Sequence, residues 1–344
     1  MPTPIRVKFL GNYATRAWER QLPSNQPTWG ACEFLFDPTE QRYDWLVIYN
    51  DFPGEHLEES LRCHPKQTLL ITTEPHTIKS YGPAFTKQFG HVLTSQPDWA
   101  LPHPGRIYSQ CALQWFYGVG RNELKSYDEM VAHPPLTKTK MLSTVCSAKQ
   151  QTHTLHKRRY DFTQAIKKNI PSMEIYGHGV KPMDDKSESM DDYRYHIAIE
   201  NFIGKHHWTE KLADVFIGVT LSFYSGCPNA AEYFPEESFI PIDVNDVSGS
   251  TEIILKTMRD NEFEKRLKYI LEARRRVLEE ENMFAVLSKE IESLPNDKGS
   301  RTDRPVIMGR RRLRVSKPSI FVTDGIEKAR VRLRHWLGST APSE

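Results

Sequence analysis

The chain has 344 residues, beyond the roughly 250–300 over which one hydrophobic core keeps growing, so two domains are expected. Its 46 Lys+Arg against 44 Asp+Glu leave it nearly neutral, and bulk charge therefore gives no argument for nucleic-acid binding. Five scattered cysteines, Cys32, Cys63, Cys111, Cys146 and Cys227, form no CxxC pair, which excludes a zinc site or disulfide framework on spacing and fits a reducing cytosol.

No apolar run suits a signal peptide or a membrane span, so the expected location is cytoplasmic, with contact at the inner face of a membrane left open. Arg6–Leu10, Trp45–Tyr49, Thr68–Thr72 and His91–Thr94 read as short apolar strands, with a helix over His76–Phe89. Strands alternating with helices predict a parallel α/β sheet. The polar segment Lys125–Lys140, holding Pro134 and Pro135, is the expected linker.

A second α/β set follows. Leu142–Cys146, Met173–Tyr176, Tyr195–Ile199, Thr220–Tyr224 and Phe239–Ile242 are predicted strands. Thr154–Lys168, Thr209–Ile217 and the short Asn229–Phe234 are predicted helices, and Thr251–Glu292 reads as one long, charged helical stretch. The expected boundaries are 1–124 for an N-terminal acceptor domain, 125–140 for the linker, 141–295 for a donor domain and 296–344 for a basic tail.

In β-α-β units, ligand groups gather in loops at the carboxyl ends of strands. The helix Thr154–Lys168 sets Leu155, Arg159, Phe162 and Ile166 on one face, so a guanidinium interrupts the core stripe. Such a group needs an anion, either a ligand or an internal carboxylate. Glu200 and Asn201 end a strand. Seven residues later, Thr209, Glu210 and Lys211 open a helix, with Thr209 as N-cap. Lys211 at that helix start either holds a phosphate or is a solvated lysine. Gly226, Cys227 and Pro228 supply a turn at the same edge.

The run YRYHIAIENFIGKHHWTEKLADVFIGVTLSFYSGCPNAAEYFPEESFIPID resembles the donor motif of the family-10 glycosyltransferases, the α1,3/α1,4-fucosyltransferases. The blocks E-N, T-E-K and Gly-x-P occur in order and at matching spacing, and the family's P-x-S-F has its counterpart in Pro235-Glu236-Glu237-Ser238-Phe239. The likeness is good from about Leu142 to Asp246, thinner from Thr68 to Gly118, and absent from the tail. The resemblance implies an α/β, GT-B fold of two Rossmann-like domains facing a central cleft, here with a C-terminal helical tail. It also implies an inverting transfer from GDP-L-fucose to a glycan acceptor. By position, Arg159 and Lys211 would grip the diphosphate, Glu210 the ribose, and Glu200 with Asn201 would line the sugar and nucleotide end. Thr209 and Gly226 complete the donor set. His207 stands where the family often has Tyr, and an imidazole there could replace a phosphate contact. The CxxC cysteines common near the family's C-terminus are missing, which fits a bacterial or viral-type member better than a Golgi enzyme.

Inversion needs a base for the acceptor hydroxyl. Glu74 follows an apolar strand, Pro75 holds the chain extended there, and similar enzymes carry a T-x-E-type sequence at this place. Glu74 is the expected base, against the alternative of a solvated loop glutamate; His76 and His91 are weaker candidates. No D-x-D sequence occurs, so neither a metal nor another cofactor is expected, and fixed cations would neutralise the leaving group. Trp99 and Trp115-Phe116-Tyr117 read as packing residues or as a stacking floor for an acceptor sugar.

From Arg301 the tail carries eleven Lys+Arg against four Asp+Glu. Asp324 with Glu327 resembles a capping box for a last helix whose stripe is Ile326, Leu333, Trp336 and Leu337. That helix fits either an anionic membrane surface or a berth on the N-terminal domain. The alternatives to a fucosyltransferase are an enzyme using another GDP-sugar and a non-catalytic nucleotide-sugar-binding protein. A nucleic-acid partner would account for the tail alone.

Overall fold

A computed structural model describes residues 3–12, 15–54, 56–148, 155–295 and 305–338. Two compact units divide the chain: Met1–Glu19, Gln26–Ala112 and Leu287–Glu344 form one, and Arg20–Asn25 with Leu113–Val286 form the other. These bounds differ from those expected. The break lies near residue 112, the segment 125–140 belongs inside the second unit and contains a helix, and the tail is part of the first unit.

The first unit begins with β1 (Ile5–Gly11), α1 (Thr15–Glu19), β2 (Thr28–Trp29), β3 (Cys32–Leu35) and β4 (Trp45–Tyr49). It continues with β5 (Glu58–Ser60), β6 (Thr68–Ile71), α2 (Pro83–Thr86), β7 (His91–Thr94) and β8 (Arg106–Tyr108). Seven strands form one sheet in the order β2-β3-β1-β4-β6-β7-β8, parallel except at β2. All five residues of β4 are buried, as a central strand covered on both faces requires. The helix expected over His76–Phe89 shrinks to α2. Gly82, at φ +80°, and Pro83 stop any helix from running through, and residues 75–79 make turns instead.

The second unit holds α3 (Tyr127–Ala132), β9 (Lys140–Val145), α4 (His156–Asn169), β10 (Glu174–Tyr176), β11 (Tyr193–Ile199), α5 (Glu210–Ile217), β12 (Leu221–Ser225) and β13 (Phe239–Pro241). Its sheet is wholly parallel, in the order β10-β9-β11-β12-β13. Thr154, the expected start of α4, lies outside the described residues. Asn229–Phe234 makes only a 3-10 turn at Ala230–Glu232. The stretch Thr251–Glu292 is helical as expected, in three helices: α6 (Val247–Arg259), α7 (Glu262–Glu279) and α8 (Met283–Ser293). Asn261, at φ 50°, breaks the first junction. Trp115 and Tyr117 are core residues of this unit. Arg20 pins their segment: its guanidinium, 3% exposed, donates to the carbonyls of Trp115, Tyr117 and Lys125.

The tail returns to the first unit as β14 (Val306–Met308), α9 (Arg310–Ser316) and α10 (Pro318–Gly338). Arg301 lies outside the described residues. β14 pairs antiparallel with β5, Ile307 opposite Glu59. α10 starts at Pro318, so Asp324 is inside it and does not cap it; its carboxylate pairs with Arg314 at 3.0 Å. Val331 is buried, and His335 Nδ1 lies 3.3 Å from His76 Nε2.

This docking sets a stability test. Ile307 is 2% exposed and Val306 41%. Ile307→Ala is expected to cost about 2–5 kcal/mol in urea unfolding, and Val306→Ala less than about 0.5 kcal/mol. Equal, small effects would mean that the strand is not docked on β5.

Candidate functional site

The site is built where the parallel strands of the second unit end. A cavity of about 270 Å³ is lined by residues following β9 and β10 (Ser147, Gly177, His178), by Ile199 and Asn201 at the end of β11, by Arg159 of α4 and by Glu210 and Lys211 of α5. Open ends of parallel strands, where loops diverge, are where such folds bind ligands.

Glu200 sets the geometry. It is fully buried at the end of β11. Its Oε1 accepts the Thr209 amide at 2.8 Å and its Oε2 the Thr209 hydroxyl at 2.7 Å. Thr209 Oγ1 in turn accepts the Lys211 amide at 3.3 Å and caps α5. Burial pushes the Glu200 carboxyl pKa up against the pull of Lys211. Glu200 is therefore a strut and not a cavity-lining group, a correction to its expected place beside a sugar. Gly226 has a similar part: a Cβ there would meet Tyr224 Oη at 2.4 Å and Glu200 Cγ at 2.5 Å, so only glycine lets this turn close on the strut.

Lys211 reaches the cavity with its Nζ 3.0 Å from Glu210 Oε1 and 3.4 Å from Glu200 Oε2. Burial lowers its pKa, but Glu210 and Glu200 together raise it further, so it stays cationic. Burial works against ionised Glu210, yet Lys211 and Lys186 hold it at a pKa of about 2. It is an ionised acceptor across the neutral range. Asn201 Oδ1 accepts from Arg159 at 2.9 Å. The Arg159 Nε is buried with no hydrogen-bond partner, and among the described residues no carboxylate pairs with this guanidinium. Of the two anions open to Arg159 on sequence, the internal carboxylate is thus not in place.

Arg159, Asn201, Glu210 and Lys211 are therefore brought together, with Thr209, Glu200 and Gly226 beneath them. His207 is not with them. It is 3% exposed, packs edge-on to Phe202 at 5.3 Å and does not line the cavity, because the left-handed turn at His206 (φ 62°) directs the chain inward. Glu74 stands on the first unit, half-buried after β6. Its amide donates to Tyr81 Oη at 3.3 Å and its carbonyl accepts from Gln96 Nε2 at 2.7 Å.

Lys186 and His196 are among the cavity residues that sequence reasoning passed over. Lys186, in a 3-10 turn of the polar excursion 184–192, has its Nζ 2.8 Å from Asp214 Oδ2 and 3.9 Å from Glu210 Oε1. The capping box of Asp185 and Glu188 was the available signal for an ordered turn there. His196 sits in mid-strand, its Nδ1 2.9 Å from Ser143 Oγ, and burial lowers its pKa to about 3.

Residues 135–270 match the family model described as glycosyltransferase family 10 (fucosyltransferase), C-term. The match covers 136 of the 344 residues, less than half of the chain. No curated protein matches the chain in sequence. Among solved structures, an α1,3-fucosyltransferase is similar over 88% of this chain and 93% of its own, at 16% identity and TM-score 0.50. An α1,3-fucosyltransferase solved with GDP-fucose is similar over 88% and 94%, at 14% identity and TM-score 0.50. The fold is thus GT-B, with a Rossmann-like parallel sheet in each unit. The glycosyltransferase domain starts just before β9 and ends within α7, so it contains the whole cavity.

The strut makes a direct test. Glu200→Ala removes the acceptor of two buried donors and one neighbour of Lys211, and is expected to cost about 3–5 kcal/mol in chemical denaturation. Glu200→Gln keeps an acceptor and should cost less. Wild-type stability in Glu200→Ala would show that the carboxylate does not hold the start of α5.

Proposed function

We propose that this glycosyltransferase moves L-fucose from GDP-fucose to a glycan hydroxyl, with inversion and α1,3/α1,4-type regiochemistry. The observation that carries the reading is the Arg159 guanidinium. It is turned to a cavity it shares with Lys211, has no carboxylate partner among the described residues, and has a buried N–H still to be satisfied. A diphosphate meets that need, and two fixed cations stabilise it as leaving group. Ionised Glu210 accepts from ribose hydroxyls and Asn201 fixes the guanidinium plane. In the reaction the acceptor oxygen bonds to the sugar's anomeric carbon, the bond from that carbon to the diphosphate oxygen breaks, and the acceptor proton passes to the Glu74 carboxylate. No metal is required in this scheme, since Arg159 and Lys211 supply the positive charge.

The test is calorimetric titration of the purified chain with GDP, GDP-fucose, GDP-mannose and UDP-galactose, followed by turnover with EDTA present. GDP and GDP-fucose are expected to bind, with affinity lost by roughly tenfold or more in Lys211→Ala. Preference for UDP-galactose would overturn the donor assignment, GDP-mannose turnover would name a different GDP-sugar, and tight binding with no turnover would leave a binding protein. Loss of turnover in chelator, restored by manganese, would sink metal independence.

A peripheral membrane contact belongs to the same reading. Among the described residues no helix is long and apolar enough to cross a membrane. α10 docks through Val331, while Val322, Ile326 and Leu333 stand exposed on the opposite side, with Arg330 and Arg332 flanking them. An apolar stripe between arginines suits an anionic bilayer, where a lipid-linked acceptor would lie. The full chain should co-sediment with phosphatidylserine vesicles, and Ile326→Glu with Leu333→Glu should abolish it; equal sedimentation of that variant would remove the membrane from the proposal.

A further inference from the structure

The first unit has its own concentration of charge, at the carboxyl ends of β4 and β6 and on the returning tail. Two cations face one aromatic ring there. Lys79 Nζ is 4.6 Å, and Arg310 Cζ 5.8 Å, from the centroid of Tyr81. Tyr81 is 2% exposed, and its hydroxyl donates to Asn50 Oδ1 at 2.7 Å while accepting the amides of Thr73 and Glu74. The ring that carries the cations therefore also holds the backbone of the Glu74 loop.

Neither cation is neutralised at close range. Lys79 donates to Asn50 Oδ1 at 2.6 Å, and Arg310 to the Ser80 carbonyl at 2.8 Å. Both partners are uncharged. Among the described residues neither cation forms an ion pair, whereas Arg312 and Arg314 of the same helix are paired with Glu58 and Asp324. Arg310 Nε is buried without a hydrogen-bond partner. The Asp51 and Glu74 carboxylates pull from further off, yet burial first, and Arg310 second, bring the Lys79 pKa down to about 8. Burial likewise lowers that of Arg310. Two like charges, partly desolvated and short of one hydrogen-bond acceptor, are unfavourable until an anion joins them; the cation–π contacts offset only part of this.

We propose that Lys79 and Arg310 receive a carboxylate or phosphate group carried by the acceptor sugar, beside Glu74, so that the acceptor is an acidic glycan. The acceptor half of this rests on Glu74 being the base; the anion half stands on the two cations alone. The competing role for both side chains is structural, as latches on Asn50 and Ser80, and a latch would not respond to a soluble anion.

The probes are glucose 6-phosphate, glucuronic acid and, as neutral control, glucose, each titrated at matched ionic strength into the full chain with ¹³C-labelled lysine. Either acid is expected to move the Lys79 titration midpoint up from about 8 towards the ordinary 10.5, while glucose leaves it in place. Response to the phosphate alone, or to the carboxylate alone, assigns the anion. Affinity for that acid should fall roughly tenfold in Lys79→Gln and in Arg310→Gln. An unmoved midpoint with both acids at saturation, an equal response to glucose, or undiminished affinity in both variants would each overturn the proposal. The wild-type titration decides even if a variant does not fold. GDP-fucose binding is read separately, so failure of the donor assignment and failure of the anion site are distinguishable.

Discussion

A carboxylate buried in a protein must be answered by donors, and in this chain that requirement at Glu200 organises the second unit. Its two oxygens take the amide and hydroxyl of Thr209, which forces the loop after β11 to return and begin α5 beside the strand it left. Lys211 then faces the cavity because it is in the first turn of that helix, and Gly226 must be glycine because the next loop closes on the same carboxylate. The blocks E-N, T-E-K and Gly-x-P are thus one mechanical object. Their order and spacing record what it takes to satisfy one anion.

Charge around the strut alternates. Lys211, Glu210, Lys186 and Asp214 follow one another as acid–base neighbours, and Asp214, itself buried, accepts the amides of Phe116 and Tyr117. Within this chain each charge has an opposite neighbour. Arg159 is outside it, held by a neutral amide, and so contributes the surplus positive charge. Among the described residues lining the cavity, Arg159 is thus the cation held by a neutral amide and not by a carboxylate.

Legibility in the sequence followed locality. Trp45–Tyr49 and His91–Thr94 were readable to the residue, because an uninterrupted apolar run bounded by polar residues is a local signal of a buried strand. That Glu210, Lys211, Asn201 and Arg159 lie around one cavity was legible because motif spacing and a broken apolar stripe are also local. The true part of Glu200 was not, since only its exposure and its two bonds to Thr209 separate a strut from a ligand contact. His207 was misplaced for the same reason: whether a loop imidazole turns inward depends on one backbone angle, at His206. Lys186 hid in a polar segment with no periodicity. Packing of the tail on the first unit was one of two alternatives open on sequence, but its pairing through β14 was not legible, because β14 is three residues long and its partner β5 lies far away in the sequence. Alternation over three residues specifies nothing.

That return also bears on how the molecule is made. A ribosome releases β5 early and β14 only after the entire second unit, so the first unit cannot finish folding until the second has been made. Its seven-stranded sheet can form before then, but Ile307 and Leu313 arrive last to fill the core beside Leu61 and Phe85. Throughout translation the nascent chain carries an open edge at β5 and an uncovered apolar face, the condition under which neighbouring chains pair wrongly. The second unit lies between β5 and β14 in the chain, and closing so large a loop adds only slowly to the entropic cost.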